Sequence, residues 1–144
     1  MTSVRVPLVA RSVRYGLVAV VAAVILVASV LQPDPTAAPT MGPFGIVGVD
    51  KWSHALAYAG LAAVLVYASM SSNRGTDRLI LAVVLAVGFG IGIEFVQWPI
   101  PYRTASAADA LADAIGAGVL ALAWWSLSRF VRFVPISRWH DPNR

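Results

Sequence analysis

The chain has 144 residues, of which 58% are hydrophobic and 12% are charged, and its formal net charge is +4. This composition leaves too little polar surface to cover a globule in water, so lipid is the expected solvent and one small domain is expected. The basic residues are scattered between apolar blocks, which argues against a nucleic-acid partner, and the lack of cysteine excludes disulfides, thiol nucleophiles and cysteine metal sites.

Four apolar segments predict four transmembrane helices, at about residues 15–31, 52–70, 79–98 and 107–127. The first segment has an alternative interpretation as a signal peptide, because Thr36 and the two alanines after it offer small residues for cleavage. Its seventeen apolar residues favour a retained helix. Ser106 is a plausible N-cap of the fourth helix. The predicted fold is therefore all-α: an integral membrane four-helix bundle forming a single transmembrane domain over residues 1–144.

Lysines and arginines in the flanks of these segments predict the orientation. One side carries nine arginines: Arg5, Arg11, Arg14, Arg74, Arg78, Arg129, Arg132, Arg138 and Arg144. The other side carries Lys51 and Arg103. Because short cytoplasmic flanks hold the excess of basic residues, both termini are expected in the cytoplasm of a multi-pass plasma-membrane protein. The Pro-rich loop at 32–50 and the loop at 99–106 are then expected to face outward.

Small residues four apart predict close contacts between helices, since they let helix backbones approach in lipid. The pairs are Gly88 with Gly92, Ala112 with Gly116, and Ala114 with Gly118.

Polar side chains gather near the predicted outer ends of three helices. Glu94 and Asp113 each lie sixteen residues from a cytoplasmic arginine, a rise of about 24 Å, and His54 and Asp109 lie near 30 Å on the same ruler. Ionisable groups inside a span cost roughly 2.5–3.5 kcal/mol each, so their faces are expected to point at one another. The predicted outer pocket contains Lys51, His54, Tyr58, Glu94, Gln97, Asp109 and Asp113, with Arg103 reaching in from the loop before the fourth helix.

These residues form an ordered pattern: Asp50-Lys51-x-x-His54-x-x-x-Tyr58, then Glu94-x-x-Gln97, then Arg103, then Asp109-x-x-x-Asp113-x-x-Gly116. The pattern, over about residues 48–120, resembles that of the VanZ-like family of small bacterial and archaeal membrane proteins. One position departs from it, because the family typically has Asn where Asp113 stands. A carboxylate holding a helix contact there would need a proton or a cationic partner, and at a ligand site it would change the charge preference.

The VanZ-like family takes its name from a member associated with resistance to the glycopeptide teicoplanin. The resemblance therefore implies a membrane protein of the cell envelope, and it does not supply a reaction.

Several functions fit these residues. The first is binding of a lipid headgroup, a lipid-linked precursor or an amphiphilic antibiotic, held by Lys51 and Arg103 while the acids and Gln97 orient it. The second is a membrane-embedded enzyme acting on a lipid-linked substrate, with His54 or Glu94 as candidate catalytic base. The third is a structural network that fixes helix register, with the function elsewhere in the chain or in a partner protein.

Other possibilities are less favoured by the residues. A transporter is disfavoured because the cytoplasmic halves of the spans lack ionisable groups. No metal or cofactor is expected, because acids beside basic residues more often neutralise one another. The oligomeric state stays open.

Overall fold

The computed structural model describes residues 3–32, 36, 38, 40–70, 76–103 and 106–136. Within these residues, four α-helices account for the apolar segments: α1 (Arg11–Val30), α2 (Val49–Ser69), α3 (Thr76–Gln97) and α4 (Ala107–Leu127). Each helix is long and apolar enough to cross a membrane. The prediction of a mostly helical chain with four helices able to span a membrane is confirmed. Arg74, Arg138 and Arg144, which entered the orientation count, lie outside the described residues.

The helices begin earlier than the apolar runs predict. The starts of α1, α2 and α3 lie three or four residues before the predicted ones, whereas α4 begins at residue 107 as predicted, and all four ends agree within one residue. Asp50 and Asp77 lie in the first turns of α2 and α3, where the helix dipole favours carboxylates. The first turns of these helices contain polar residues, so a prediction from hydropathy alone places the helix starts too late.

Two short strands, which the predicted all-α fold lacks, pair in the described part of the chain. β1 (Val4–Leu8) precedes α1 and β2 (Val131–Pro135) follows α4. The strands run parallel, with Arg5 beside Arg132 in the register. This β1–β2 ribbon brings the segments before the first helix and after the last helix together.

The ribbon is fixed to the helices through Tyr67 near the end of α2. The Tyr67 hydroxyl donates to the carbonyl of Pro7 at 3.0 Å and accepts from the backbone N–H of Val9 at 3.3 Å. Phe133 of β2 packs against Tyr67 and Trp124, with ring centroids 6.2 and 5.7 Å apart. We call this end of the molecule the ribbon end.

Helix α2 contacts each of the other three helices, and most extensively α4. Its buried face is made by Tyr58, Leu61, Ala62 and Val66. The neighbouring helices present small residues to it, such as the fully buried Ala86 of α3 and Ala117 of α4. Polar contacts join the start of α2 to the start of α4, and the end of α3 to the end of α1. These four helix ends lie together and form what we call the acidic end.

The glycine predictions are partly wrong. A Cβ atom on Gly116 would collide with the backbone of Ala55, so this glycine lies at the α2–α4 contact as its spacing predicts. No described atom of another element lies within 4 Å of a Cβ placed on Gly88, Gly92 or Gly118. In α3 it is Gly90 that faces the neighbouring helices, and residues two positions away point about 200° around the helix.

Candidate functional site

Four side chains form a connected polar group between α2 and α4, which we call the paired cluster: Lys51, His54, Asp109 and Asp113. Lys51 Nζ donates to Asp109 Oδ1 at 2.5 Å. Nδ1 of His54 lies 2.9 Å from Asp113 Oδ1, and its Nε2 lies 4.0 Å from Asp109 Oδ1. The spacings i, i+3 on α2 and i, i+4 on α4 put each pair on facing sides of the two helices. Asp109 therefore lies between the two pairs, hydrogen-bonded to Lys51 and near His54 without a hydrogen bond to it.

Burial increases with depth through the paired cluster. The side chains of Lys51 and His54 are 25% and 27% exposed, whereas that of Asp113 is 4% exposed. Asp113 is covered at Gly90, where a Cβ atom would lie 2.8 Å from its Oδ2 and 3.0 Å from Cε1 of Tyr58. The buried Tyr58 ring thus packs beneath the cluster, and Gly90 leaves room for both side chains. The paired cluster is therefore buried at Asp113 and accessible to solvent at Lys51 and His54.

The contact with Asp113 fixes the orientation of the His54 ring. An ionised carboxylate can only accept hydrogen bonds, so Nδ1 carries a hydrogen when Asp113 is charged. The other ring nitrogen, Nε2, then points towards the partly exposed side, where its 4.0 Å separation from Asp109 is too long for a hydrogen bond. His54 is also the hydrogen-bond partner of the carboxylate at position 113.

Glu94 lies outside this set of contacts. Its Oε2 accepts a hydrogen bond from the backbone N–H of Ser106 at 3.1 Å. Ser106 also caps α4, since its Oγ accepts from the N–H of Asp109 at 3.3 Å. Glu94 therefore joins the end of α3 to the start of α4 by a hydrogen bond.

Three side chains from the end of α3 and the following loop reach the C-terminus of α1. Gln97 donates to the carbonyl of Ser29 at 2.8 Å, and the Tyr102 hydroxyl donates to that of Val30 at 2.9 Å. Arg103 donates to the carbonyls of Ala28, at 3.2 Å, and of Leu31. The last carbonyls of a helix have no partner within it, and these donors supply one. Arg103 and Gln97 thus serve α1, whereas the sequence analysis assigns both to the pocket.

The structure divides the eight predicted binding residues into groups. Lys51, His54, Asp109 and Asp113 come together, Tyr58 lies beneath them, Glu94 holds the α3–α4 connection, and Gln97 and Arg103 hold α1. Asp50 is missing from the predicted set, although it lies 2.6 Å from Lys51 Nζ and is the second acid on that ammonium. Its position next to the lysine in the chain was the available signal.

Arg14 is a second arginine whose role the sequence analysis does not predict. It counts there as a charge on the cytoplasmic flank, but it is buried at the ribbon end. Its Nη1 donates to the carbonyls of Tyr67, Ala68 and Met70 at 2.8–3.1 Å. Arg78 donates to the remaining carbonyl of that run, Ser69, at 2.8 Å. Two arginines thus bind the carbonyls at the end of α2, and one arginine binds those at the end of α1.

Carboxylates outnumber cations at the acidic end. Among the described residues there, Asp50, Glu94, Asp109 and Asp113 stand against Lys51 and Arg103, so four negative and two positive charges leave −2 with His54 neutral. Because Arg103 binds α1, the paired cluster itself has one lysine that two carboxylates already contact. Such a site favours ligand groups that donate hydrogen bonds, because an anion would have to displace a carboxylate from Lys51. Within the described residues, no group of three His, Asp or Glu side chains is placed to hold a metal ion.

Compared with known proteins, the chain matches no family model, no curated protein and no solved structure.

Proposed function

We propose that this chain is a VanZ-like membrane protein of the cell envelope that binds a lipid headgroup, a lipid-linked precursor or an amphiphilic antibiotic at its acidic end. The ordered motif residues of α2, α3 and α4 support the family assignment, and a glycopeptide-resistance-like role is what that assignment implies. In this proposal the protein lies in the plasma membrane with both termini in the cytoplasm. The arginine-rich ribbon end supports that orientation.

The observation that carries the binding proposal is the incomplete pairing of the paired cluster. A network that only fixed helix register would be expected to satisfy its own polar atoms. Here Nε2 of His54 has Asp109 at 4.0 Å, beyond hydrogen-bond reach, and the side chains of Lys51 and His54 remain partly exposed. These atoms are positioned to bind a group that enters from the acidic end.

The charges of the cluster indicate which parts of an envelope molecule it would contact. Hydroxyl or ammonium groups, such as those of a sugar or an amino headgroup, would donate to Asp50 and Asp109. A carbonyl or phosphate oxygen would accept from Lys51 or from a protonated His54. A zwitterionic or glycosylated headgroup offers both kinds of group, so it fits better than a headgroup that is only anionic.

Native mass spectrometry of the detergent-purified protein tests this proposal through the endogenous molecules that stay bound. We expect His54→Gln and Asp109→Asn to lose a species that the unaltered protein retains. Asp77→Asn is the matched control, because it makes the same chemical change in the first turn of α3, at the opposite end. The same bound species in all folded variants would contradict the proposal and leave the cluster as a network that fixes the α2–α4 register.

A second candidate function is a membrane-embedded enzyme on a lipid-linked substrate, which the geometry of His54 favours. A buried carboxylate on Nδ1 with Nε2 directed to the partly exposed side is the arrangement that orients a histidine as general base. In this alternative His54 takes a proton from water or a substrate hydroxyl, and Lys51 stabilises the negative charge that develops.

The variant Asp113→Asn separates the two functions. The amide oxygen can still accept from Nδ1, so a bound species should remain in either case. A general base loses both its charge partner and the carboxylate that fixes its tautomer, and a comparable change in a serine protease lowers kcat by about 10⁴. Conversion of the retained species by the unaltered protein, abolished in Asp113→Asn while binding persists, would establish the enzyme. Absence of conversion by the unaltered protein leaves binding alone.

A further inference from the structure

The loop before α2 folds into a compact turn with an apolar tip. The N–H of Gly42 donates to Val47 O at 2.8 Å, and the N–H of Val49 donates to Thr40 O at 2.9 Å. No charged residue occurs between residues 40 and 49. We call residues 41–47 the apolar turn. Its main hydrogen bonds are internal, so its backbone does not depend on water for these groups.

Phe44, at the tip, has an unfavourable backbone conformation and little contact with the rest of the protein. A hydrogen bond of 3.0 Å from Gly45 N to Gly42 O closes the turn around it. Its φ of 65° and ψ of 4° lie in the left-handed region, where such a turn favours Gly or Asn. The residue is nevertheless 85% exposed. A bulky aromatic residue thus occupies a strained position without a compensating contact within the described residues.

The apolar turn lies beside the first turn of α2. A Cβ atom on Gly42 would collide with the indole of Trp52, which is the fourth residue of the helix. Ile46 is 73% exposed and Met41 is 60% exposed, and exposed apolar residues continue from them onto α2 through Val49. The turn therefore extends the apolar outer surface of a helix that can span the membrane.

We propose that the apolar turn inserts into the lipid interface of the leaflet at the acidic end, with Phe44 and Ile46 as its anchors. Phe, Trp and Leu side chains of interfacial segments enter the boundary between headgroups and acyl chains by about 5–10 Å. An uncharged tip with internally bonded backbone suits lipid, and contact with lipid compensates for the strain at Phe44.

Because the chain has no cysteine, a single introduced thiol reports on one position. The test places an NBD fluorophore on Ile46→Cys, which retains Phe44, and on Pro101→Cys in the other loop of the acidic end. Each variant is reconstituted into phosphatidylcholine vesicles with iodide on both sides, or with lipids carrying a nitroxide at acyl carbon 5. We expect blue-shifted emission, strong nitroxide quenching and several-fold weaker iodide quenching at position 46 than at position 101.

Two outcomes would overturn the proposal. Equal iodide quenching at positions 46 and 101 would mean that the apolar turn lies in water or no deeper in the membrane than the loop at position 101. Protection of position 46 from both quenchers would mean that protein, such as a second copy, covers it. Adding Phe44→Gly provides a second check that keeps the turn, since glycine adopts the left-handed conformation freely. We expect iodide quenching at position 46 to rise in that variant, and an unchanged value would show that Phe44 is not an anchor.

Discussion

Asp113 and His54 depend on each other unequally. Asp113 is buried beneath Gly90, whereas His54 is partly exposed and keeps access to other polar groups. Removing the histidine leaves a buried carboxylate without its donor. Replacing the aspartate by Asn keeps an acceptor at the same place. The two halves of one hydrogen bond therefore differ in what their loss costs.

Substitutions at His54 and Asp113 should therefore lower the free energy of unfolding by different amounts. His54→Ala should lower the free energy of unfolding by about 1–3 kcal/mol, the cost of leaving a buried polar group unpaired. His54→Gln, which restores a donor, and Asp113→Asn should each lower it by less than about 1 kcal/mol. Thermal or SDS-induced unfolding followed by circular dichroism measures the differences. Equal losses in His54→Ala and His54→Gln would show that the hydrogen bond contributes nothing.

Arginine side chains bind the carbonyl groups at the ends of two helices. Arg103 binds the last carbonyls of α1, and Arg14 binds those of α2 at the opposite end of the molecule. Each guanidinium comes from another part of the chain, so it ties two elements together while it satisfies carbonyls that the helix leaves open. This matters most near lipid, where water is scarce and unpaired carbonyls are costly.

Replacing Arg14 tests this role. Arg14→Met should lower the free energy of unfolding by about 3 kcal/mol or more, because three carbonyls lose a charged donor. Arg11→Met is the matched control, since Arg11 lies in the same helix but is exposed, and it should change stability by less than about 0.5 kcal/mol. Equal effects of the two substitutions on the unfolding midpoint would rule out a special role for Arg14.

The helices were predictable because each apolar run is long enough to cross a bilayer, whereas the ribbon was not. Each strand has only five residues and one proline, and the register pairs Val4 with Val131, so no local pattern marks it.

Counting residues from the arginines at about 1.5 Å per helical residue predicts the same membrane depth for His54 and Asp109. Their side chains do lie close together, 4.0 Å apart. The position of Arg103 in the chain does not predict where its side chain points, because Arg103 lies in a loop and not on a helix face. Its side chain binds the carbonyls at the end of α1.

The whole molecule is asymmetric in charge along its long axis. Among the described residues, the ribbon end carries six arginines and the aspartate Asp77: Arg5, Arg11, Arg14, Arg78, Arg129 and Arg132. The described part of the acidic end carries four carboxylates and two cations. In the proposed plasma-membrane orientation the basic end lies in the cytoplasm. The proposed ligand would then reach the paired cluster from outside the cell.

Labelling of intact cells with a membrane-impermeant maleimide tests this orientation. Pro101→Cys, at the acidic end, should react, and Ser3→Cys, at the ribbon end, should react only after the cells are lysed. Lysed cells serve as the control that both thiols are accessible. The opposite pattern would invert the proposed topology and exclude an extracellular ligand.

The β1–β2 ribbon imposes an order on assembly. β1 is synthesised before α1, and its partner β2 follows α4, so the first strand waits unpaired while the four helices are made. Strand pairing is consequently a late step, and it reports that α4 has arrived. Once formed, the ribbon joins α1 to α4, two helices whose main contacts are with other helices. It thereby links the first and last helices directly, whereas the contacts of Arg14 with α2 and of Gln97 and Arg103 with α1 would still hold α1 in place if the ribbon opened.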